Sequence, residues 1–384
     1  MPPILNFNSK LPNAKTTIFT VVGKLANEHN AVNLSQGFPD FPPDPELLDL
    51  YSKALEGSYN QYAPMTGAKQ LREVIIEKTE KTYGRKYDVE KEVTVTAGAT
   101  QAIYTAIAAF ISKGDEVVVL KPAYDCYEPA IELAGGIPVL IQLKGKGFKI
   151  DWDEFRSQIT SKTRMIIINT PHNPSGQILT ESDMLTLQEI LRDTNIILLS
   201  DEVYEHIVFD GAVHQSAVRF DELAQRSIVC SSFGKTFHVT GWKIGYCVGP
   251  SYLMREFNKV HQYNVFCVNH PAQIALATYL QNENHYLGLG DFYQKKRDYF
   301  LNAISDSRFK FTPSQGSYFQ LLDYSDITDE RDITLNERLI KDYKLASIPM
   351  SVFNINERDD KLLRFCFAKT EETLDRAAEI LNTI

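Results

Sequence analysis

The sequence predicts an α/β protein: a mainly parallel seven-stranded sheet covered by helices, followed by a smaller α+β unit. Short β-branched runs recur from Val93 onward, namely VTVTAG, EVVVLK, PVLIQL, RMIIINT, NIILLSDE, SIVCSSF and IGYCVGP. Most are separated by segments of helical or loop character, the alternation that builds parallel sheets. The runs are also apolar throughout instead of alternating with polar residues, as strands are when helices cover both faces.

Residues 1–40 carry Asn, Pro and Gly-Phe-Pro-Asp clusters with one short helical stretch near Thr17 to Glu28, so they read as an arm. Within the regular region, Ala102, Ile103, Ala106, Ile107 and Phe110 fall on one helical stripe, while Leu185, Leu187, Ile190 and Leu191 follow a capping Thr180. The runs SIVCSSF and IGYCVGP stand too close for a crossover helix and are predicted to pair antiparallel. A helical stretch from about Leu287 to Ser307 leads to FKFTPSQGSYFQLLDYS and LLRFCFAK, with a final helix after Lys369. The resulting division is an arm with part of a small domain at 1–40, a large domain at 41–285 and a small C-terminal domain at 286–384.

A chain of 384 residues exceeds what one core usually organises, which agrees with that division. Its 43% hydrophobic content and lack of a long apolar run exclude a disordered or membrane-spanning protein. The net charge of −9 disfavours a nucleic-acid binder, which needs a basic surface against phosphates. Cys126, Cys230, Cys247, Cys267 and Cys366 lack paired spacing, so neither a disulfide framework nor a metal site is expected. The opening MPPILNFNSKLP has no basic stretch followed by an apolar one, and the expected location is the cytoplasm.

The chemistry concentrates at strand ends. In SSFGKTFHVTGWKIGY at 231–246, Lys235 follows an apolar strand among small and hydroxyl residues. Ligands of open parallel sheets bind at the carboxyl ends of strands, and a desolvated amine there can attack a carbonyl. The GKT at 234–236 is no phosphate-binding P-loop, because Val229 stands where that motif needs glycine. No GxGxxG follows a strand either. Asp201 ends the run IILLSD, where a buried carboxylate is expensive unless it meets a cation such as a pyridinium nitrogen; the alternative is a helix cap. Asn173-Pro174-Ser175-Gly176 follows another strand and reads equally as a turn. Gly98-Ala99-Thr100 opens a helix after VTVTA, presenting backbone N–H groups and a hydroxyl to a phosphate, or serving close packing.

Taken together, SSFGK with TGWKIGY, NTPHNPSG, SDEVYE and the arginine of LLRFCFAK resemble the class I aminotransferases over nearly the entire chain. NLSQGFPDF and NQYAPMTG are most similar to the methionine and kynurenine/glutamine aminotransferases. The resemblance implies fold type I, pyridoxal 5′-phosphate as cofactor and ping-pong transamination between an amino acid, methionine or aromatic, and a 2-oxo acid. It implies that Lys235 holds the cofactor as a Schiff base and then carries the proton between substrate Cα and cofactor C4′. Asp201 would pair with the pyridine nitrogen, Asn173 and Tyr204 would bond the ring oxygen, and Tyr124 would stack on the ring. Ala99, Thr100, Ser232 and Lys243 would hold the phosphate, with Tyr62 reaching across from the partner of a homodimer. Lys243 stands where aspartate aminotransferases have arginine, replacing a bidentate grip by a point charge. Arg364 would grip the substrate α-carboxylate, helped by Asn173 and the Gly37 backbone. Outside that context Tyr62 and Tyr124 read as packed aromatics and Gly37 as a turn residue. The sequence leaves cysteine-S-conjugate β-elimination open on the same site. A non-catalytic cofactor-sensing module is disfavoured, because the motifs begin near residue 30 with no DNA-binding segment before them.

Overall fold

A computed structural model describes residues 8–384; the first seven residues of the predicted arm lie outside the described residues. Seven strands form the central sheet: β1 Val93–Thr96, β2 Glu116–Lys121, β3 Ile137–Gln142, β4 Thr163–Asn169, β5 Ile197–Asp201, β6 Ser227–Ser232 and β7 Gly245–Val248. Their order across the sheet is β1-β7-β6-β5-β4-β2-β3. Strands β2 to β6 run parallel, and β7 is antiparallel to both its neighbours, as the short spacing before it predicts. The α/β fold therefore stands as read.

The continuous apolar character of the strands has a direct cause. Val118, Leu120, Ile166, Ile168, Leu198 and Val229 enter one buried cluster, while their neighbours Val117, Val119, Met165, Ile167, Leu199 and Ile228 enter another. Successive side chains alternate between faces, so two cores require apolar residues at every position. The edge strand β3 departs from this rule, since Ile137 is 48% exposed.

Helix Gly98–Phe110 buries Ala102, Ile103, Ala106 and Ile107 as predicted, with Phe110 only partly covered. Helix Glu181–Leu191 buries Met184, Leu187 and Leu191, whereas Leu185 is exposed. The predicted stripe misplaced Leu185 because the buried positions follow the 3–4 spacing from Met184, which puts Leu185 about 100° away. Thr180 caps this helix: its side chain accepts from Asp183 N–H and the Asp183 carboxylate accepts from Thr180 N–H. Thr180→Ala removes one half of this reciprocal box and should cost about 1 kcal/mol, read as a lower urea midpoint with unchanged slope.

Beyond the central sheet, the stretch expected at Leu287 to Ser307 resolves into helices Asn284–Leu287 and Leu289–Ala303. A three-stranded antiparallel sheet follows, built from β8 Phe319–Asp323, β9 Ile348–Pro349 and β10 Leu362–Cys366 in the order β9-β10-β8. The front of the chain joins this layer: Val32–Asn33 pairs in parallel with Leu345–Ala346, and Leu34 O accepts from Cys366 N–H at 2.8 Å. Among the described residues no helix is long and apolar enough to cross a membrane.

Candidate active site

The carboxyl ends of β4, β5 and β6 open together, because Asn169 pairs with Asp201 and Asp201 with Cys230 across the sheet. Here the strands stop and their last side chains face a cleft lined by Ala99, Thr100, Tyr124, Asn173, Asp201, Tyr204, Ser232, Lys235 and Lys243. Nine of the sequence-predicted residues thus converge on one cavity. Arg364 joins them through a hydrogen bond from Nη1 to Asn173 Oδ1 at 2.6 Å.

Lys235 sits in the single helical turn Phe233–Thr236 that follows β6. Its Nζ donates to Gly37 O at 3.0 Å and lies 5.8 Å and 5.7 Å from the ring centres of Tyr204 and Tyr318. Burial lowers its pKa to about 8, and the cationic neighbours Arg364 and Lys243 act in the same direction. A substantial fraction of the amine is then neutral and nucleophilic near pH 8.

Asp201 is 4% exposed, and burial raises its pKa to about 6 against the opposing hydrogen bond from Tyr127. Tyr127 OH donates to its Oδ2 at 2.6 Å, and Asn169 Nδ2 donates to its backbone oxygen at 2.9 Å. No helix follows for this carboxylate to cap. Its environment favours a cationic partner in the cleft.

The opposite wall suits an anion. Helix Gly98–Phe110 carries no acidic residue in its first turn and no side-chain cap, leaving its first N–H groups free. Gly98 has a left-handed φ of +76°, which favours glycine, and a Cβ there would lie 3.2 Å from Lys243 Nζ and crowd that amine at the helix end. Lys243 itself holds φ 55° and ψ 45°, an uncommon conformation for a long side chain. With Thr100 and Ser232, these groups form a donor set for a phosphate-sized dianion. Tyr124 lies beside Thr100, and burial pushes its hydroxyl up to about 12.

Arg364 is 1% exposed; besides Asn173 it donates from Nη2 to Ser35 O at 3.1 Å and lies 4.0 Å over the Phe319 ring. Burial lowers its pKa to about 10. With Oδ1 of Asn173 committed to this arginine, the amide N–H groups of Asn173 are left to face a ligand. Gly37 brings its carbonyl to Lys235 and accepts from Tyr318 OH at 2.6 Å, and a Cβ there would sit 2.7 Å from Phe319. Tyr62 is the predicted residue that this cleft does not contain: it is 81% exposed, its ring edge-on to Phe266 at 5.4 Å. Among the described residues no group of three or more His, Cys, Asp or Glu side chains converges as metal ligands would.

Sequence reasoning missed Tyr127, Asn169, Tyr318, Phe319 and Ser35. Asn169 begins the motif NTPHNPSG, so strand-end position could have flagged it, whereas Tyr127 opens the helix Tyr127–Leu133, six residues past its strand. Ser35 lies inside NLSQGFPDF, and Tyr318 and Phe319 inside FKFTPSQGSYFQLLDYS, but their partners are distant in the chain and their roles have no local signature.

Residues 29–381 match the family model for aminotransferases of class I and II. A methionine aminotransferase of Escherichia coli (strain K12) is 47% identical over 377 residues, covering 98% of each chain. Kynurenine–oxoglutarate transaminase 1 of Homo sapiens is 32% identical, covering 94% of this chain and 93% of its own. A solved structure from Escherichia coli, described as having a methionine aminotransferase function, superposes with a TM-score of 0.97 at 46% identity over the full length of both chains. Fold, cleft and relatives agree: the chain belongs to the class I and II aminotransferases and catalyses transamination.

Proposed function

We propose that the enzyme uses pyridoxal 5′-phosphate to move amino groups from methionine or aromatic amino acids to 2-oxo acids, as a cytoplasmic homodimer. The observation that carries this reading is the Lys235 amine, which shares one cleft with Asp201 and Lys243 and donates to Gly37 O at 3.0 Å, with burial lowering its pKa to about 8. The donor set fits the cofactor at each end: a carboxylate in need of a cation, an amine for an aldehyde, and a helix terminus with hydroxyls and a lysine for a phosphate. Bound there, pyridoxal phosphate supplies an aldehyde able to exchange amino groups and a protonated ring that withdraws electrons.

The chain's residues do the rest. Asp201 keeps the ring nitrogen protonated. Asn173 and Tyr204 would hold the ring oxygen, and Tyr124 would pack against the ring. Ala99 N–H, Thr100, Ser232 and Lys243 would hold the phosphate, joined by Tyr62 from the partner copy. Tyr62 is 81% exposed in one chain and so is open to such a contact. Arg364 and Asn173 receive the substrate α-carboxylate, with the Gly37 backbone beside them. Lys235 Nζ removes the proton from substrate Cα as general base. Phe19, partly buried and 5.4 Å from the Arg364 guanidinium, offers apolar surface for the substrate side chain.

The test is a donor panel with purified protein, cofactor and a 2-oxo acid. Methionine and phenylalanine are expected to exceed aspartate in kcat/KM by about 100-fold or more, the scale set by leaving a side-chain carboxylate unpaired. Double-reciprocal plots should be parallel. Preference for aspartate would overturn the donor assignment, and pyruvate release from S-substituted cysteine without acceptor-dependent transfer would overturn transamination as the main activity.

A further inference from the structure

Behind the cleft lies a buried polar cluster that none of the roles above uses. Its centre is Glu205, next to Tyr204 in sequence. Its Oε1 lies 2.8 Å from Lys78 Nζ and accepts from Tyr246 OH at 2.9 Å and from Ser231 Oγ, and its Oε2 accepts from Tyr83 OH. His206 stands 3.7 Å away, and both members of the Lys78–Glu205 pair are nearly sealed from solvent, at 3% and 4% side-chain exposure. Burial alone would raise the Glu205 pKa, but Lys78 overcomes it and holds the carboxyl well below the usual range.

The donors come from three separate elements. Lys78 and Tyr83 belong to helix Lys69–Tyr83, Ser231 to β6 and Tyr246 to β7, where Ser231 and Tyr246 are cross-strand partners. Two of the site residues have sequence neighbours in the cluster: Tyr204 stands beside Glu205, and Ser232 beside Ser231. The Tyr246 ring packs at 5.2 Å on Phe233, the first residue of the turn that carries Lys235. A buried ion pair contributes little to stability compared with a well-packed apolar replacement, so its value lies in the one geometry it selects.

We propose that Glu205 is a positioning residue, a four-donor anchor that fixes the Tyr204 loop and the β6 terminus relative to each other and so sets where Tyr204 and Lys235 stand in the cleft. This rests on the function proposed above. Removing one partner alone would strand a buried charge and threaten the fold, so the test removes both, in Lys78→Met/Glu205→Gln.

Two readouts separate positioning from bulk stability. In cofactor-free protein, amide hydrogen exchange at residues 202–206 and 231–236 should quicken by about 10-fold in the double variant, with the rest of the central sheet unchanged. In protein loaded with pyridoxal phosphate, the pH midpoint of the visible lysine-linked band should move by about half a unit or more as Tyr204 and Lys235 lose their fixed distance from the ring. Wild-type exchange rates and midpoint in the folded double variant overturn the proposal, as does a uniform rise in exchange across the molecule. Should the double variant fail to fold, Ser231→Ala and Tyr83→Phe each remove one donor. A local rise in exchange of about 3-fold is then expected, and wild-type rates in both refute the anchor. Absence of a visible band in wild-type protein supplied with pyridoxal phosphate would instead refute the function proposed above, so the two failures are distinct.

Discussion

Lys235→Ala should lower kcat/KM for transamination by on the order of 10⁴-fold or more, equivalent to about 5 kcal/mol of transition-state stabilisation. The proposed roles of this amine, covalent partner and general base, fall on one atom, and the cleft offers no substitute. Lys243 is the other lysine lining the cavity, held in a left-handed backbone conformation beside the start of helix Gly98–Phe110. The fold should survive, because the amine gives up only its bond to Gly37 O at 3.0 Å and is itself costly to bury. Steady-state kinetics with a circular dichroism control checks this, together with loss of the lysine-linked visible band on adding pyridoxal phosphate. A variant retaining that band would remove Lys235 from its role.

Asp201→Asn should give two opposite results. With cofactor, kcat/KM should fall by about 10²- to 10³-fold, because a neutral amide cannot hold the ring nitrogen protonated. Without cofactor, the variant should be the more stable protein at neutral pH. Burial displaces the Asp201 pKa from 3.8 to about 6. Between these values the folded carboxyl holds a proton that the unfolded one has released, so native stability falls as pH rises through the window. At about 1.4 kcal/mol per pH unit the loss is about 3 kcal/mol, complete above pH 6 and absent below about pH 4. Asparagine has no such proton to lose and can still accept from Tyr127. Thermal unfolding of cofactor-free proteins should therefore show the variant ahead at pH 7.5, with the gap closing toward pH 4. Equal melting temperatures at pH 7.5 would show that the buried carboxylate is not under strain.

The central sheet was legible because burial on both faces writes itself into the sequence as unbroken apolar runs, and all seven became strands. The candidate cleft was legible for a related reason. Its residues stand where those runs end, so Asp201, Asn173 and Lys235 could be located by their position after a strand. What could not be read are partnerships decided by tertiary approach. Phe319 lies under the Arg364 guanidinium because β8 and β10 pair antiparallel, a fact with no local signature. Tyr127 reaches Asp201 across 74 residues of chain, and no motif announces that bond. The exposed Ile137 reflects an edge position, and Leu185 a stripe read one residue out of phase.

The pairing of Val32–Asn33 with Leu345–Ala346 bears on how the molecule is made. Ser35 O, which receives Arg364, is separated from it by 329 residues. At roughly 5–20 residues per second, a ribosome would spend roughly 15 to 65 s between making the first of these partners and the second. Throughout that interval the leading segment has no strand to join, while the central sheet can already close. The Arg364 end of the cleft is thus assembled after the central sheet, once the segment that carries Arg364 has been made.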